Sequence, residues 1–97
     1  MGQLAWTSES ERWLRDIFDY ISRDNPDAAR DVVRGIYDKA QMLRDFPEAG
    51  YLYEASSRHV RILLYGHYRI AYLVRGNGDV DVLGVFHGAL EIERYAL

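Results

Sequence analysis

The spacing of apolar residues changes about halfway along this chain, from a helical period to a period of two, and that change admits few folds. Trp13, Leu14, Ile17, Phe18 and Ile21 recur at helical spacing and form one apolar stripe. Ala29, Val32, Val33, Ile36, Ala40 and Leu43 form a second. Only Asn25 and its neighbours separate the two, so the helices must fold back as an antiparallel hairpin. Ser8–Glu9–Ser10–Glu11 matches a capping box with Ser8 as the N-cap, and the first helix is expected to end near Asp24. Asn25 is a good N-cap for the second helix. Pro26 loses nothing at its first position, where an amide would be unpaired. Pro47 and Gly50 are expected to end that helix.

From Arg58 onward the pattern is strand-like: Arg58–Tyr65, Tyr68–Arg75 and Val80–Phe86, with turns at Gly66–His67 and Asn77–Gly78. These segments predict an antiparallel meander. Leu4–Thr7 is a short apolar edge strand that can join it as a fourth strand, and Ala89–Tyr95 a tail with a helical turn. The fold class is therefore α+β, a helical hairpin laid on a small sheet. A two-residue turn at Gly66–His67 sets Tyr65 opposite Tyr68 and Leu64 opposite Arg69. The Asn77–Gly78 turn sets Leu73 opposite Val82. One sheet face then carries Arg58, Val60, Ile62, Leu64, Arg69, Ala71, Leu73, Arg75, Val82, Gly84 and Phe86. The other, bulkier face carries Arg61, Leu63, Tyr65, Tyr68, Ile70, Tyr72, Val74, Leu83, Val85 and His87, and is expected to take the helices. A slip of one residue would exchange the faces.

The length of 97 residues fits one domain spanning residues 1–97, and 48% hydrophobic residues supply its core. The absence of cysteine excludes disulfides and thiolate metal sites. His59, His67 and His87 are not at metal spacing, so no metal is expected. No signal peptide or membrane span is visible, and a cytoplasmic location is expected. The net charge of −3 is unlike that of a protein whose main task is gripping nucleic acid. Charge is segregated, however. Between Glu54 and Asp79 stand Arg58, His59, Arg61, His67, Arg69 and Arg75 with no acid among them. The sheet is the cationic pole of an acidic molecule, suited to meet an anionic partner. Gly76–Asn77–Gly78 is a turn rather than a phosphate cradle, since no helix or lysine follows it.

Five ordered pieces carry a resemblance: Asn25–Pro26–Asp27–Ala28–Ala29, Leu43–Arg44–Asp45–Phe46–Pro47–Glu48–Ala49–Gly50, Arg58, His67–Tyr68–Arg69–Ile70–Ala71–Tyr72 and Val85–Phe86–His87–Gly88. Together they resemble toxins of the ParE/RelE superfamily, from type II toxin–antitoxin (plasmid stabilisation) modules, and the ParE-like branch more than the RNA-cutting RelE branch. The resemblance implies a RelE/ParE-like fold, a cognate ParD-like antitoxin that wraps the toxin in a hetero-oligomer, and no cofactor. It also implies one of two activities. ParE-type members block DNA gyrase; RelE-type members cut mRNA on the ribosome.

Metal-free RNA cleavage needs a base, cations for the phosphate and an acid for the leaving oxygen. RNA-cutting members place polar groups on the first meander strand beside the arginine that resembles Arg69. Here those positions read Val60 and Ile62, which favours the gyrase branch. Arg58, Arg69, Arg75 and His87 are then the candidate target contacts. Under the nuclease alternative, Arg58, Arg69, His87 and Tyr95 would form a reduced catalytic site. Trp13, Phe18 and Tyr37 are candidate anchors for an amphipathic antitoxin helix lying in grooves around the hairpin. One departure stands out: Ala89–Leu90–Glu91 follows the His–Gly pair where many ParE-like chains carry a cation.

Overall fold

A computed structural model describes residues 2–54, 56 and 58–88 of the chain. Strand β1 (Leu4–Trp6) leads directly into helix α1 (Ser8–Ser22), which folds back through Asn25 into helix α2 (Pro26–Gln41). A 3-10 turn over Met42–Arg44 continues α2. Strands β2 (Tyr51–Leu52), β3 (Arg61–Tyr65), β4 (Tyr68–Val74) and β5 (Val80–His87) follow. The sheet has five strands in the order β1-β5-β4-β3-β2; β1 runs parallel to β5 and the other pairs are antiparallel. The α+β class is as expected, with β2 as an added edge strand. That strand is only two residues long, too short to show an alternation that sequence could reveal.

The N-cap of α1 lies one residue earlier than the capping box suggests. Thr7, still extended at φ −67° and ψ 160°, accepts the Ser10 amide on its hydroxyl. Ser8 is already helical. The Thr7 hydroxyl also donates to the Val82 carbonyl at 2.7 Å, so one side chain both starts the helix and ties it to β5. Asn25 caps α2 as expected, its side-chain oxygen accepting the Ala28 amide, with Pro26 in the first turn.

The β3–β4 register agrees with expectation, Tyr65 opposite Tyr68 and Leu64 opposite Arg69. Strand β3 starts at Arg61 rather than Arg58, because His59 adopts a left-handed φ of 57° that breaks the pleat. The β4–β5 connection also differs. It is a wider turn in which the Arg75 amide donates to the Asp79 carbonyl and the Gly78 amide to Arg75. Only Gly78 of the Asn–Gly pair has positive φ.

Between these strands the expected register holds from Tyr68↔His87 to Ala71↔Gly84 and then shifts, so that Tyr72 faces Val82 and Leu73 faces Asp81, not Val82. Leu83 is the extra residue of this bulge. It joins the outer apolar cluster with Val60, Ile62, Ala71 and Phe86, while Val82 turns inward. The bulge thereby exchanges the expected faces of Val82 and Leu83.

The helices cover the face that carries Leu63, Ile70, Tyr72 and Val85, as expected from its bulk. Ile36, Ala40 and Leu43 pack into it from α2 and the turn that follows. Helix α2 crosses β3 closely at Gly35, where a Cβ would stand 1.9 Å from the Tyr65 hydroxyl oxygen. No helix among the described residues is long and apolar enough to cross a membrane.

Thr7→Ala removes both the helix cap and the bond to β5, and is expected to lower stability by about 1–2 kcal/mol. Ser8→Ala, on an exposed residue, should change it by no more than about 0.5 kcal/mol. Urea denaturation of the two variants checks the placement of the cap.

Candidate functional site

The arginines of the cationic segment divide into two sorts. Arg61 turns back on the chain, its guanidinium donating to the Gly50 carbonyl at 2.7 Å. Arg75 pairs with Asp81, Nε to Oδ2 at 2.7 Å. That pairing raises the Arg75 pKa, chiefly through the hydrogen bond. Arg69 and Arg58 are different. Among the described residues neither guanidinium has a hydrogen bond or ion pair. Arg58 is exposed in the segment before β3. Arg69 is half-buried in the outer sheet face, opposite Leu64 of β3 on one side and Phe86 of β5 on the other. Phe86 is buried, whereas Leu64 is 55% exposed. Arg69 is therefore a cation set in an apolar frame and open on one side.

His87 lies elsewhere. It stands opposite Tyr68, one position from the Arg69–Phe86 pair, and so projects to the other face of the sheet. There its ring meets Tyr68 edge-on at 5.5 Å and lies beside His67 at 6.1 Å. The structure thus brings neither His87 nor Arg75 to the free guanidinium of Arg69. Tyr95 and the Ala89–Tyr95 tail lie outside the described residues.

The three apolar anchor candidates also separate. Phe18 and Tyr37 line one groove of about 400 Å³ between the helices, with Leu14 and Val33 on its floor and Arg30, Arg34 and Asp38 around it. Tyr37 is half-exposed and stacks on Trp6 at 5.5 Å. Trp13 does not line this groove. It packs edge-on against Phe86 at 4.6 Å and joins both apolar clusters of the sheet.

The segment Phe46–Gly50 is held by residues that sequence inspection did not single out. The buried Tyr72 hydroxyl accepts the Gly50 amide at 2.9 Å and donates to the Pro47 carbonyl at 2.8 Å. Gly50 must be glycine there, since a Cβ would stand 2.6 Å from the Ile62 carbonyl oxygen and 2.8 Å from the Tyr72 hydroxyl. Arg61 clamps the same loop from outside. The outcome is a fixed loop with Phe46 63% exposed at its start. The signal was the pairing of a tyrosine at an inward strand position with a Pro-x-x-Gly loop. Nothing in the sequence says that the two meet.

Burial pushes the Tyr72 phenol up, while the Gly50 amide and Arg61 pull it the other way. A raised value means that the neutral phenol is favoured on folding. Its contribution is complete at neutral pH, below the unfolded tyrosine range, and is lost as pH rises through the folded value. Tyr72→Phe leaves the Gly50 amide and the Pro47 carbonyl without a partner, and should destabilise the fold by about 1–3 kcal/mol. It should also flatten the alkaline fall in stability. Thermal unfolding across pH, with hydrogen exchange at the Gly50 amide, measures both effects.

The likeness of this chain to known proteins extends over most of its length. A family model described as the ParE toxin of the type II toxin–antitoxin system parDE matches residues 4–91. The toxin-like protein Y4kP of Sinorhizobium fredii is 33% identical over 85 residues, 88% of this chain and 86% of that protein. Among solved structures, a chain from the chromosomal ParDE toxin–antitoxin system of P. aeruginosa superposes with a TM-score of 0.75. The identity is 22%, covering 90% of this chain and 96% of that one. A chain of the RelBE2 toxin–antitoxin complex of Mycobacterium tuberculosis gives 0.62 at 18% identity, covering 89% and 96%.

Proposed function

The chain belongs to the family of ParE toxins of type II toxin–antitoxin systems, and we propose that it acts by gripping DNA gyrase with the outer face of its sheet, restrained by a ParD-like antitoxin seated in the groove between α1 and α2. The observation that carries the first half is Arg69. Its guanidinium has no internal partner among the described residues, and its flanking side chains are Leu64 and Phe86. Val60 and Ile62, on the adjoining strand segment, are fully or almost fully buried. Leu64, Phe86, Val60 and Ile62 can neither hold a phosphate nor move a proton beside Arg69, as strand-cleaving chemistry requires. His87, the acid–base group nearest in register, projects to the opposite face. A free arginine in an apolar frame is instead suited to binding, where arginine and exposed apolar groups commonly dominate the energetics.

The groove supports the second half. It presents Phe18 and Tyr37 together on the solvent side of the hairpin, with cationic and acidic groups at its rim. An amphipathic helix can lay its apolar stripe in such a groove. The solved neighbours come from toxin–antitoxin assemblies, which fits a chain that pairs with an antitoxin in a hetero-oligomer.

Arg69→Ala is expected to weaken gyrase inhibition by about tenfold to a hundredfold, the equivalent of one charge-assisted contact of about 1.5–3 kcal/mol. Supercoiling assays, and growth inhibition on induction, test this. A folded Arg69→Ala variant of undiminished potency would remove Arg69 from the contact. Codon-phased mRNA cleavage on translating ribosomes, with supercoiling untouched, would establish the ribosome-dependent endonuclease alternative. Phe18→Ala and Tyr37→Ala should each weaken binding of the antitoxin encoded beside this gene by about 1–2 kcal/mol in calorimetric titration. Trp13→Ala should instead lower the stability of the toxin alone.

A further inference from the structure

A cavity of about 430 Å³ lies where α1 passes the pair formed by the first residue of β4 and the last of β5, Tyr68 and His87. From α1 it takes positions 13, 16, 17, 20 and 21, whose spacing sets them on one helix face. Ile17 and Ile21 make its apolar floor. Trp13, Tyr20 and Tyr68 supply three aromatic rings, and Asp16 and His87 are its remaining polar groups.

Two groups stand exposed at its mouth. Tyr20 is 72% exposed, a large ring displayed rather than packed. Asp16 stands one turn before it on the same face, so its carboxylate and the Tyr20 ring flank one opening. Among the described residues Asp16 has no ion pair. Arg12, one turn earlier, is paired with Glu9 at 3.3 Å. Across the opening, the Tyr68 ring is braced edge-on against His87 at 5.5 Å. Burial pushes the Tyr68 phenol up, so this wall stays neutral at physiological pH.

A cleft of aromatic faces with a single carboxylate attracts cations. The ring quadrupole presents negative charge at its face, and the carboxylate completes the match. An anion would be repelled by Asp16. An apolar group would cover Asp16 without giving it a partner, at a cost. Among cations, guanidinium fits better than ammonium. It is planar and weakly hydrated, stacks on rings, and meets a carboxylate with two parallel hydrogen bonds. The volume falls within the usual range for a small-ligand pocket of roughly 300–1,000 Å³.

We propose that this cleft is a recognition pocket for an arginine side chain presented by a protein partner, with Asp16 as the anionic contact and Tyr20 and Tyr68 as the stacking walls. It shares no lining residue with the Phe18–Tyr37 groove, and Tyr68 and His87 project to the side of the sheet opposite Arg69. It therefore stands or falls independently of the gyrase and antitoxin assignments.

The test is titration of the full chain with the blocked peptide acetyl-Ala-Arg-Ala-amide, followed by nitrogen–proton correlation spectra. Saturable shifts are expected at the Trp13 indole N–H and at the Asp16, Tyr20 and Tyr68 amides. The neutral citrulline peptide should bind at least about fivefold more weakly. Asp16→Asn and Tyr20→Ala change exposed positions and should leave the thermal unfolding curve in place. Each should weaken binding of the arginine peptide by roughly threefold to tenfold. The proposal is overturned by an absence of saturable shifts at these residues, by equal binding of the citrulline peptide, or by undiminished binding to folded Asp16→Asn. Tighter binding of agmatine than of the peptide would also overturn it, because the cleft would then exclude a side chain attached to a main chain.

Discussion

Strand β4 has to be buried on both faces at once, and the rest of the molecule is arranged around that requirement. Ile70, Ala71 and Tyr72 are consecutive and fully buried, yet they point alternately to the helices and away from them. With a period of two, a single slip would exchange the two sets. The tight turn at Gly66–His67 fixes one neighbour, β3. The other neighbour, β5, cannot satisfy both ends of β4 with a regular ladder. Val85 must face the helices near the His87 end, while Val80 and Val82 must face them at the end where Leu4 and Trp6 of β1 add their bulk. The distance from Val82 to Val85 is odd. One inserted residue, Leu83, resolves the parity, and the bulge follows from where apolar bulk is needed.

The same strand joins the two halves of the chain. The Tyr72 ring belongs to the helix-side core, while its hydroxyl holds the loop that carries the chain out of α2 and into the sheet. The Phe46–Gly50 segment is thus anchored from beneath by a core tyrosine and from the side by Arg61. An arginine in an acid-free run looks available for a partner when only sequence is considered. Here it neutralises carbonyl dipoles of its own fold. Arg75 is likewise occupied, because the bulge and the wide Arg75–Asp79 turn leave Asp81 within its reach.

Those two arginines mark the boundary of what sequence made legible. The helical hairpin, the Asn25–Pro26 start, the meander, the β3–β4 register and the covered face all follow from local rules of period, capping and turn chemistry, and the structure agrees with them. The shift of the N-cap from Ser8 to Thr7 does not follow locally, because the choice was made by a bond to Val82, 75 residues away. The left-handed His59 and the bulge at Leu83 have the same character. Each interrupts a regular alternation for the sake of a distant neighbour. The candidate site was legible to the same degree. Its cations were visible in composition, but which were occupied depended on long-range pairing. The expected register already set His87 and Arg69 on opposite faces, and the structure keeps them apart, since residues in adjacent cross-strand pairs project to opposite faces.

Among the described residues, what remains on the outer face of the sheet is the Arg69 guanidinium without an internal partner, with apolar groups to either side. Chemistry and adhesion make opposite demands on such a place. To cleave a phosphodiester, an arginine needs polar neighbours that donate and accept protons, and those neighbours keep the surface wet. To bind a protein, it needs neighbours that expel water, because a charge-assisted bond gains strength as its surroundings dry. Leu64 can do only the second, and its exposure leaves it available to do so. With Arg75 paired to Asp81, and Arg61 on the helix-side register bonded to the Gly50 carbonyl, the net cationic character of the outer face is smaller than the composition of the segment suggests. A partner would therefore be held less by bulk charge than by one well-framed contact and the apolar area around it. That is the economy of a protein–protein interface, and it is compatible with a molecule whose overall charge is negative.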